Sequence, residues 1–445
     1  MPPKRKLSLR VLHLPVAYLP WTVGGREVYC HTLCHDLEDH GVESIVAIHQ
    51  DPGRKEAVGV HQHEGISVHV LPALKDFSER VTAYSKVYAS LPGFSDLLDQ
   101  MKPDLVHFHD QNGGASLSHM REVKQRGIPT VLTYHTPGQS CVQRALLYEG
   151  KHPCDGKVIL QRCTACRLVD SGLPRPFARL ASMTEWPGVS PSSSSRWQRV
   201  LSARLMTRIF KQSLEEFFDL ADGVVVGAEW CRAVLLSNGL AEHKLHLIRT
   251  AGREPSNDVV GLKYPARQPL RLACMGRCSP VKGFHVLIDA VKMLPEDVPL
   301  QIHFLGPYWD DSYGQELLKR IGGDKRFISP RLVANTDLMT TLAEMDAVVV
   351  PSIWLETGPL TVFDAFAAGL PVIGSRLGGI SEVVREGLNG WLFEAGSGHD
   401  LSRKIQGLLA GELQIPAPVN IRNSFPRTMK TVAGHYAKIY SDYVG

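Results

Sequence analysis

The chain has no run of about 18 apolar residues, so no membrane-spanning helix is expected. It has no block of basic residues either. Its 49 Lys and Arg stand against 45 Asp and Glu, the formal net charge is +4, and the cations are spread along the chain. That balance gives no reason to expect nucleic acid as a partner. No short internal repeat is visible, which argues against a solenoid. Nine cysteines in 445 residues do not form a secreted disulfide framework. The first residues, MPPKRKLSLRVLHLPV, start basic but lack a long apolar core and a small-residue cleavage site, so no signal peptide is expected. A cytoplasmic protein is the resulting expectation.

What is present suffices for two ordinary cores: 44% of the residues are hydrophobic, and the length suits two domains of about 200 residues each. The first half alternates strands and helices. Leu9–Leu14, Glu43–His49, Val68–Leu71, Leu105–His109 and Thr130–Tyr134 read as strands, with helices at Glu27–His40 and Ser116–Arg126. The rhythm breaks over about 136–195, where Pro, Cys, Gly and Ser are dense, and returns with a helix over 196–220 and strands at Gly223–Gly227 and Lys244–Arg249. A stretch of low periodicity, 251–268, reads as a linker. A second strand–helix series occupies 269–424, and 425–445 ends the chain as a helix. The pattern is α/β: two Rossmann-like, doubly wound halves, an N-terminal one over 1–250 and a second over 269–424, with a cleft between them suited to a phosphate-bearing ligand.

The stretch from Ala347 to Phe393 concentrates the signals. An apolar strand, Ala347–Val350, leads into the loop Pro351–Pro359, which carries the acid Glu356. Leu360–Ala368 reads as a helix with Gly369 just past its end. The N–H groups of Gly358, Leu360 and Thr361 at its start would favour an anion. Gly276 to Gly283 (GRCSPVKG) likewise joins a strand to a helix, so Arg277 and Lys282 would stand at a strand end. A forked guanidinium and a point-charge ammonium together suit a diphosphate leaving group.

Arg277, Lys282-Gly283, the segment PSIWLETGPLTVFDAFAAGLPVI, Gly378-Gly379-Ile380-Ser381-Glu382 and Asn389–Phe393 together resemble the nucleotide-sugar half of the retaining GT-B glycosyltransferases of family four. The resemblance covers about the whole C-terminal half. It implies transfer from a nucleoside-diphosphate sugar with retention and without a divalent metal at the diphosphate. By position, Arg277 and Lys282 would hold the diphosphate, Glu356 would touch donor-sugar hydroxyls, and Gly358, Pro359, Leu360 and Thr361 would meet sugar and phosphate. The family's second acid, which caps the ribose, falls on Asp364, one methylene shorter than the usual glutamate. Glu382 resembles an outer acid of the same site. The last helix, 425–445, would return to the N-terminal domain.

In the first half, Gly24-Gly25 resembles the family's glycine loop near donor and acceptor. His135, at the end of Thr130–Tyr134, matches a Thr-x-His position where a neutral imidazole could bond a sugar hydroxyl or place the acceptor. His109-Asp110 matches a further position. The residues that the resemblance makes catalytic are thus His135, Arg277, Lys282 and Glu356. No carboxylate is clearly placed as a nucleophile, and the family's chemistry is read as front-face transfer.

Two features lie outside that pattern. Cys141, Cys154, Cys163 and Cys166 cluster in the insertion, and Cys163-Thr-Ala-Cys166 has metal-ligand spacing. A structural zinc and four free thiols are both compatible with it. The segment Arg196–Lys211 is basic and amphipathic, with Trp197, Val200, Leu201, Leu205 and Ile209 on one face. It suits either a helix packed on its own domain or peripheral contact with the inner face of a membrane. The expected activity is a hexosyltransferase-type enzyme acting on a glycan or glycolipid acceptor. The alternatives are an inactive nucleotide-sugar-binding scaffold, which Asp364 would favour, and a GT-B sugar-nucleotide epimerase.

Overall fold

Short unbroken apolar runs such as Gly223–Val226 and Ala347–Val350 are buried along their whole length, as strands covered on both faces must be. They are central strands of two parallel sheets. The computed structural model describes residues 9–22, 24–51, 53, 56–110, 115–193, 195–252 and 268–445. The linker expected at 251–268 falls almost wholly outside these residues. The chain divides into two compact units, Met1–Arg249 with Lys430–Gly445, and Thr250–Met429.

The first unit holds β1 (Leu9–Pro15), β2 (Val42–His49), β3 (Gly59–His63), β4 (Ile66–Leu71), β5 (Leu105–His109), β6 (Thr130–Tyr134), a ribbon of β7 (Leu147–Tyr148) and β8 (His152–Pro153), then β9 (Gly223–Val226) and β10 (Leu245–Leu247). Eight of them form one sheet in the order β10-β9-β6-β5-β1-β2-β4-β3. All neighbours are parallel except β3 against β4. The carboxyl ends of β1, β5 and β6 lie side by side at the middle of this sheet, with Pro15 paired to His109 and His109 to Thr133. The last helix, Met429–Val444, belongs to this unit. Its Tyr436 and Tyr440 are fully buried, and their hydroxyls bond Thr133 Oγ1 at 2.9 Å and His107 Nδ1 at 2.7 Å.

The second unit holds β11 (Leu270–Met275), β12 (Leu300–Leu305), β13 (Phe327–Arg331), β14 (Ala347–Val350), β15 (Val372–Ser375) and β16 (Gly390–Phe393). They form a six-stranded parallel sheet in the order β13-β12-β11-β14-β15-β16. The order reverses between β11 and β14, so the loops leaving these two strands meet at the switch point of the sheet.

Two expectations change, and of the two readings of the segment Arg196–Lys211 packing on its own unit is favoured. The insertion over 136–195 is not irregular throughout: it carries helices Leu160–Asp170 and Arg175–Met183. The helix expected over 196–220 is two, Arg196–Leu201 and Ala203–Leu220, parted at Ser202, whose hydroxyl bonds back to the Gln198 carbonyl at 2.6 Å. Its apolar residues are also largely used inside the unit. Val200 packs on Leu168, Ala178, Ala181 and Ala203, and Ile209 on the main core, while Trp197 stands 74% exposed.

Candidate functional site

In the second unit, two strand-end loops are drawn together by glycine. The Gly283 backbone is left-handed (φ 71°), and a Cβ there would sit 1.9 Å from the Pro351 carbonyl oxygen. Ile353 N–H donates to the Val281 carbonyl at 2.9 Å, tying the loop after β14 to the turn after β11. The consequence is an ion pair: Lys282 Nζ lies 2.7 Å from Glu356 Oε1. Ser352 Oγ donates to the same carboxylate oxygen at 2.8 Å, and Lys282 stands over the Trp354 ring at 5.5 Å. Glu356 is 8% exposed. Burial favours its protonated form, yet the adjacent Lys282 ammonium and the hydroxyl of Ser352 hold it below the usual carboxylate range.

The backbone of Glu356 is pinned from the other side. Gly379 N–H donates to the Glu356 carbonyl at 2.9 Å. A Cβ on Gly379 would come within 2.7 Å of that oxygen, and one on Gly378 (φ 52°) within 3.0 Å of the Glu356 nitrogen. The glycine pair is therefore a support for the acid. The helix that follows, Leu360–Ala367, starts at Pro359 without a side-chain cap, so the amides of Leu360 and Thr361 are left for another acceptor. Gly358 is also tight, since a Cβ there would meet Thr250 Cγ2 at 2.8 Å. Arg277 is exposed at the end of β11 and forms no ion pair among the described residues. Asp364, inside the helix, and Glu382, in helix Gly378–Val383, are half-buried. The structure thus brings Lys282, Glu356 and the helix start to one strand-end crevice.

In the first unit, Gly24 precedes the helix Gly25–Leu37 with an extended backbone (φ −156°), and a Cβ on it would lie 2.5 Å from Glu27 Oε2. Arg26 of this helix pairs with Asp110, whose carboxylate also accepts from Gln139 Nε2 at 3.0 Å and Thr136 Oγ1 at 3.2 Å. Asp110 is fully buried on a left-handed backbone (φ 85°), a strain that native structure keeps where a side chain must be aimed. His135 Nε2 meets His109 Nδ1 at 3.2 Å, and His109 Nε2 meets His13 Nδ1 at 3.1 Å. Burial pushes the His135 imidazole down to about 4 and His109 well below its ordinary value. The His135 ring is neutral at pH 7, with its edge on Tyr29 and its plane held by His109. Arg26 was not read from the sequence; its nearness to the glycine pair was the available signal.

The four insertion cysteines line one small cavity. Cys166 Sγ accepts from the Glu149 amide and from Gln143 Nε2, both at 3.0 Å, the kind of bond that stabilises a thiolate ligand. No three of the four sulfurs lie mutually within 4.8 Å, so a tetrahedral metal would draw them closer.

A family model described as Glycosyl transferases group 1 matches residues 265–424, and one described as Glycosyltransferase Family 4 matches residues 23–175. An amylovoran biosynthesis glycosyltransferase of Erwinia amylovora is 26% identical over 196 residues, which are 41% of this chain and 46% of that one. A D-inositol 3-phosphate glycosyltransferase of Corynebacterium efficiens is 34% identical over 138 residues, 29% of this chain and 31% of the relative. The matches thus span less than half the length of these curated relatives. Two solved structures share the fold along nearly the whole chain: HepE of Anabaena with UDP (TM-score 0.63, 14% identity, covering 98% of this chain and 100% of that one) and sucrose-phosphate synthase of Thermosynechococcus elongatus (TM-score 0.64, 17% identity, covering 98% and 99%).

Removing one partner of the buried pair should be costly. Lys282→Met leaves the Glu356 carboxylate buried without its cation, and urea unfolding at pH 7 should show a loss of about 3 to 5 kcal/mol. The pH sign follows from the lowered value of Glu356. Its contribution is present above the unfolded carboxylate value of about 4.3 and is lost as pH falls through the folded one. The variant should therefore lose less stability than wild type between pH 5 and acid; an identical acid slope would show that the pair is not formed.

Proposed function

The chain belongs to the family-four glycosyltransferases of the GT-B fold, and from that premise we propose that it moves a sugar from a nucleoside-diphosphate donor to a glycan or glycolipid acceptor with retention at the anomeric carbon. The observation that carries the reading is the Lys282–Glu356 pair beside an uncapped helix start. It offers a cation for a leaving diphosphate next to an acid for sugar hydroxyls. The name of the relative called an amylovoran biosynthesis glycosyltransferase supports a role in polysaccharide or glycoconjugate biosynthesis. A structural neighbour bound to UDP-glucose supports a nucleotide-sugar donor.

In the proposed reaction the bond between the anomeric carbon and the diphosphate oxygen breaks, and the acceptor oxygen bonds to the same face. The acceptor proton passes to the departing diphosphate, whose charge Arg277 and Lys282 offset. The protein supplies position and charge rather than a dedicated base. Glu356 would orient the sugar through its hydroxyls, and Asp364 would reach the ribose with a shorter side chain than the family's glutamate. The inactive scaffold remains the rival reading, through Asp364.

The cysteine cluster is proposed as a structural zinc site. Four thiols around one cavity, with N–H groups aimed at Cys166, are a donor set for zinc, and the metal would staple the ribbon β7–β8 to helix Leu160–Asp170. Peripheral membrane contact is proposed for a different surface from the one the sequence pointed to. Helix Arg175–Met183 buries Ala178, Ala181 and Ser182 and exposes Phe177, Leu180 and Met183, with Trp186 and Trp197 also exposed. Arg179, Arg196 and Arg199 are exposed in the same segment, a composition suited to anionic lipid. Among the described residues no helix is long and apolar enough to cross a membrane.

Three measurements test these proposals. Without acceptor, wild type should slowly release free nucleotide from its donor, while Arg277→Ala should bind donor roughly 10- to 100-fold more weakly and release none; equal behaviour would leave the scaffold reading. Elemental analysis should find one zinc per chain, lost in Cys163→Ser and Cys166→Ser together with a lower melting temperature. A metal-free wild type from zinc-supplemented medium would end that proposal. In vesicle sedimentation the protein should bind phosphatidylcholine containing phosphatidylglycerol, not phosphatidylcholine alone, and Phe177→Glu with Leu180→Glu should abolish it.

A further inference from the structure

The first unit contains a cavity of about 310 Å³ that the donor chemistry does not use. Lys86, Arg144 and Arg167 line it, together with Tyr84, Gln143 and one carboxylate, Asp170. Three cations thus face one acid in a single concavity. Several arginines of this unit are in ion pairs, among them Arg121 with Glu216, Arg162 with Asp155 and Arg175 with Glu149. Among the described residues, Arg144 and Arg167 form no ion pair, and the Arg167 guanidinium instead covers the Tyr84 ring at 4.5 Å.

The arrangement is held at a cost. Lys86 and Arg144 both sit on left-handed backbone, at φ 56° and 63°. Lys86 is 5% exposed. Burial and the neighbouring Arg144 push its ammonium down to about 8, against the pull of Asp110. Like charges gathered in a poorly solvated concavity repel each other, and a multivalent anion would relieve that repulsion. The place is informative as well. The cavity wall includes Gly138, three residues past His135 at the end of β6, and its Lys86 feels the charge of the Asp110 carboxylate.

We propose that this cavity binds a phosphoryl group, a phosphate or diphosphate, carried by the acceptor. The inference rests on the glycosyltransferase reading for the word acceptor, but the binding itself does not. A forked guanidinium over an aromatic ring, a second guanidinium at the rim and a buried ammonium match the oxygens of a diphosphate. The phosphoryl group could belong to a soluble sugar phosphate or to the headgroup of a lipid-linked sugar. The chemistry at Lys86, Arg144 and Arg167 is the same for both.

The test is calorimetric titration of the full chain with inorganic pyrophosphate, in an Arg277→Ala background that removes a competing cation of the other unit. Pyrophosphate should still bind, and Arg144→Gln with Arg167→Gln should weaken it about tenfold or more, the loss expected for charge-assisted bonds. Arg144 is exposed, so Arg144→Gln alone keeps the test valid if the double change disturbs folding. Competition then separates the sources: displacement by glucose 1-phosphate indicates a soluble acceptor, and displacement by farnesyl diphosphate alone indicates a lipid headgroup. No pyrophosphate binding in the Arg277→Ala protein, or binding that the arginine changes leave untouched, overturns the proposal. Because no sugar transfer is read, its failure would leave the glycosyltransferase reading standing.

Discussion

The second unit turns on the desolvated contact between Lys282 and Glu356. Two charges taken from water need close geometry and further hydrogen bonds to survive. The chain meets that need with the Ser352 hydroxyl and with close backbone approaches. Gly283 lets one loop press against the Pro351 carbonyl, and Gly378 and Gly379 hold the Glu356 peptide from behind. Each of these approaches leaves no room for a Cβ. The pair also keeps the Glu356 carboxylate ionised before any ligand arrives. An anion that draws Lys282 away would release the Glu356 oxygens to accept hydroxyl donors, which is what the proposed diphosphate-sugar site would need of them.

The first unit solves its polar problem in the opposite way. The imidazoles of His13, His107 and His109 lie on neighbouring strands in the middle of the sheet, and burial keeps His107 and His109 neutral. Neutral rings can be satisfied by each other and by hydroxyls, and here Tyr440 and Thr133 bond His107 at 2.7 Å each. The aromatic residues of the last helix are thus fitted to histidines some 300 positions earlier in the chain. His135 stands, half-buried, at the end of this array, with rings of Tyr29 and His109 against it.

Much of this was legible in the sequence because strands buried on both faces read as plain apolar runs. Ala347–Val350 and Thr130–Tyr134 match their observed bounds, and the helix after Pro359 ends one residue earlier than expected. The strand-end positions of Lys282, Glu356 and His135 followed from that rhythm. What failed was local context. The antiparallel edge strand Gly59–His63 is largely exposed and polar, with no apolar run to announce it. The break at Ser202 lies inside an unbroken helical periodicity. The support from Gly378 and Gly379 was visible only as a motif, because the peptide it holds is more than twenty residues away. The pairing of Arg26 with Asp110, 84 residues apart, had no local signal, although Arg26 directly follows the glycine pair.

The insertion of the first unit shows the same logic at the level of composition. Its own apolar cluster is small: Leu168, Ala178, Ala181 and Ala203, with Val169, Leu173 and Val200 against it. Alanine buries little surface, so such a cluster stabilises two short helices weakly. The segment is held to the rest of the unit through the main core, where Val158 is buried and Val142 and Cys163 pack, and the proposed metal site at the four cysteines would add a second tie. The same shortage explains why large apolar side chains remain on the outer face of helix Arg175–Met183: there is no second layer to cover them. It also explains where the cations come from. Arg144 lies three residues past Cys141 and Arg167 directly follows Cys166, so whatever fixes the sulfurs fixes two of the three positive groups that line the neighbouring cavity.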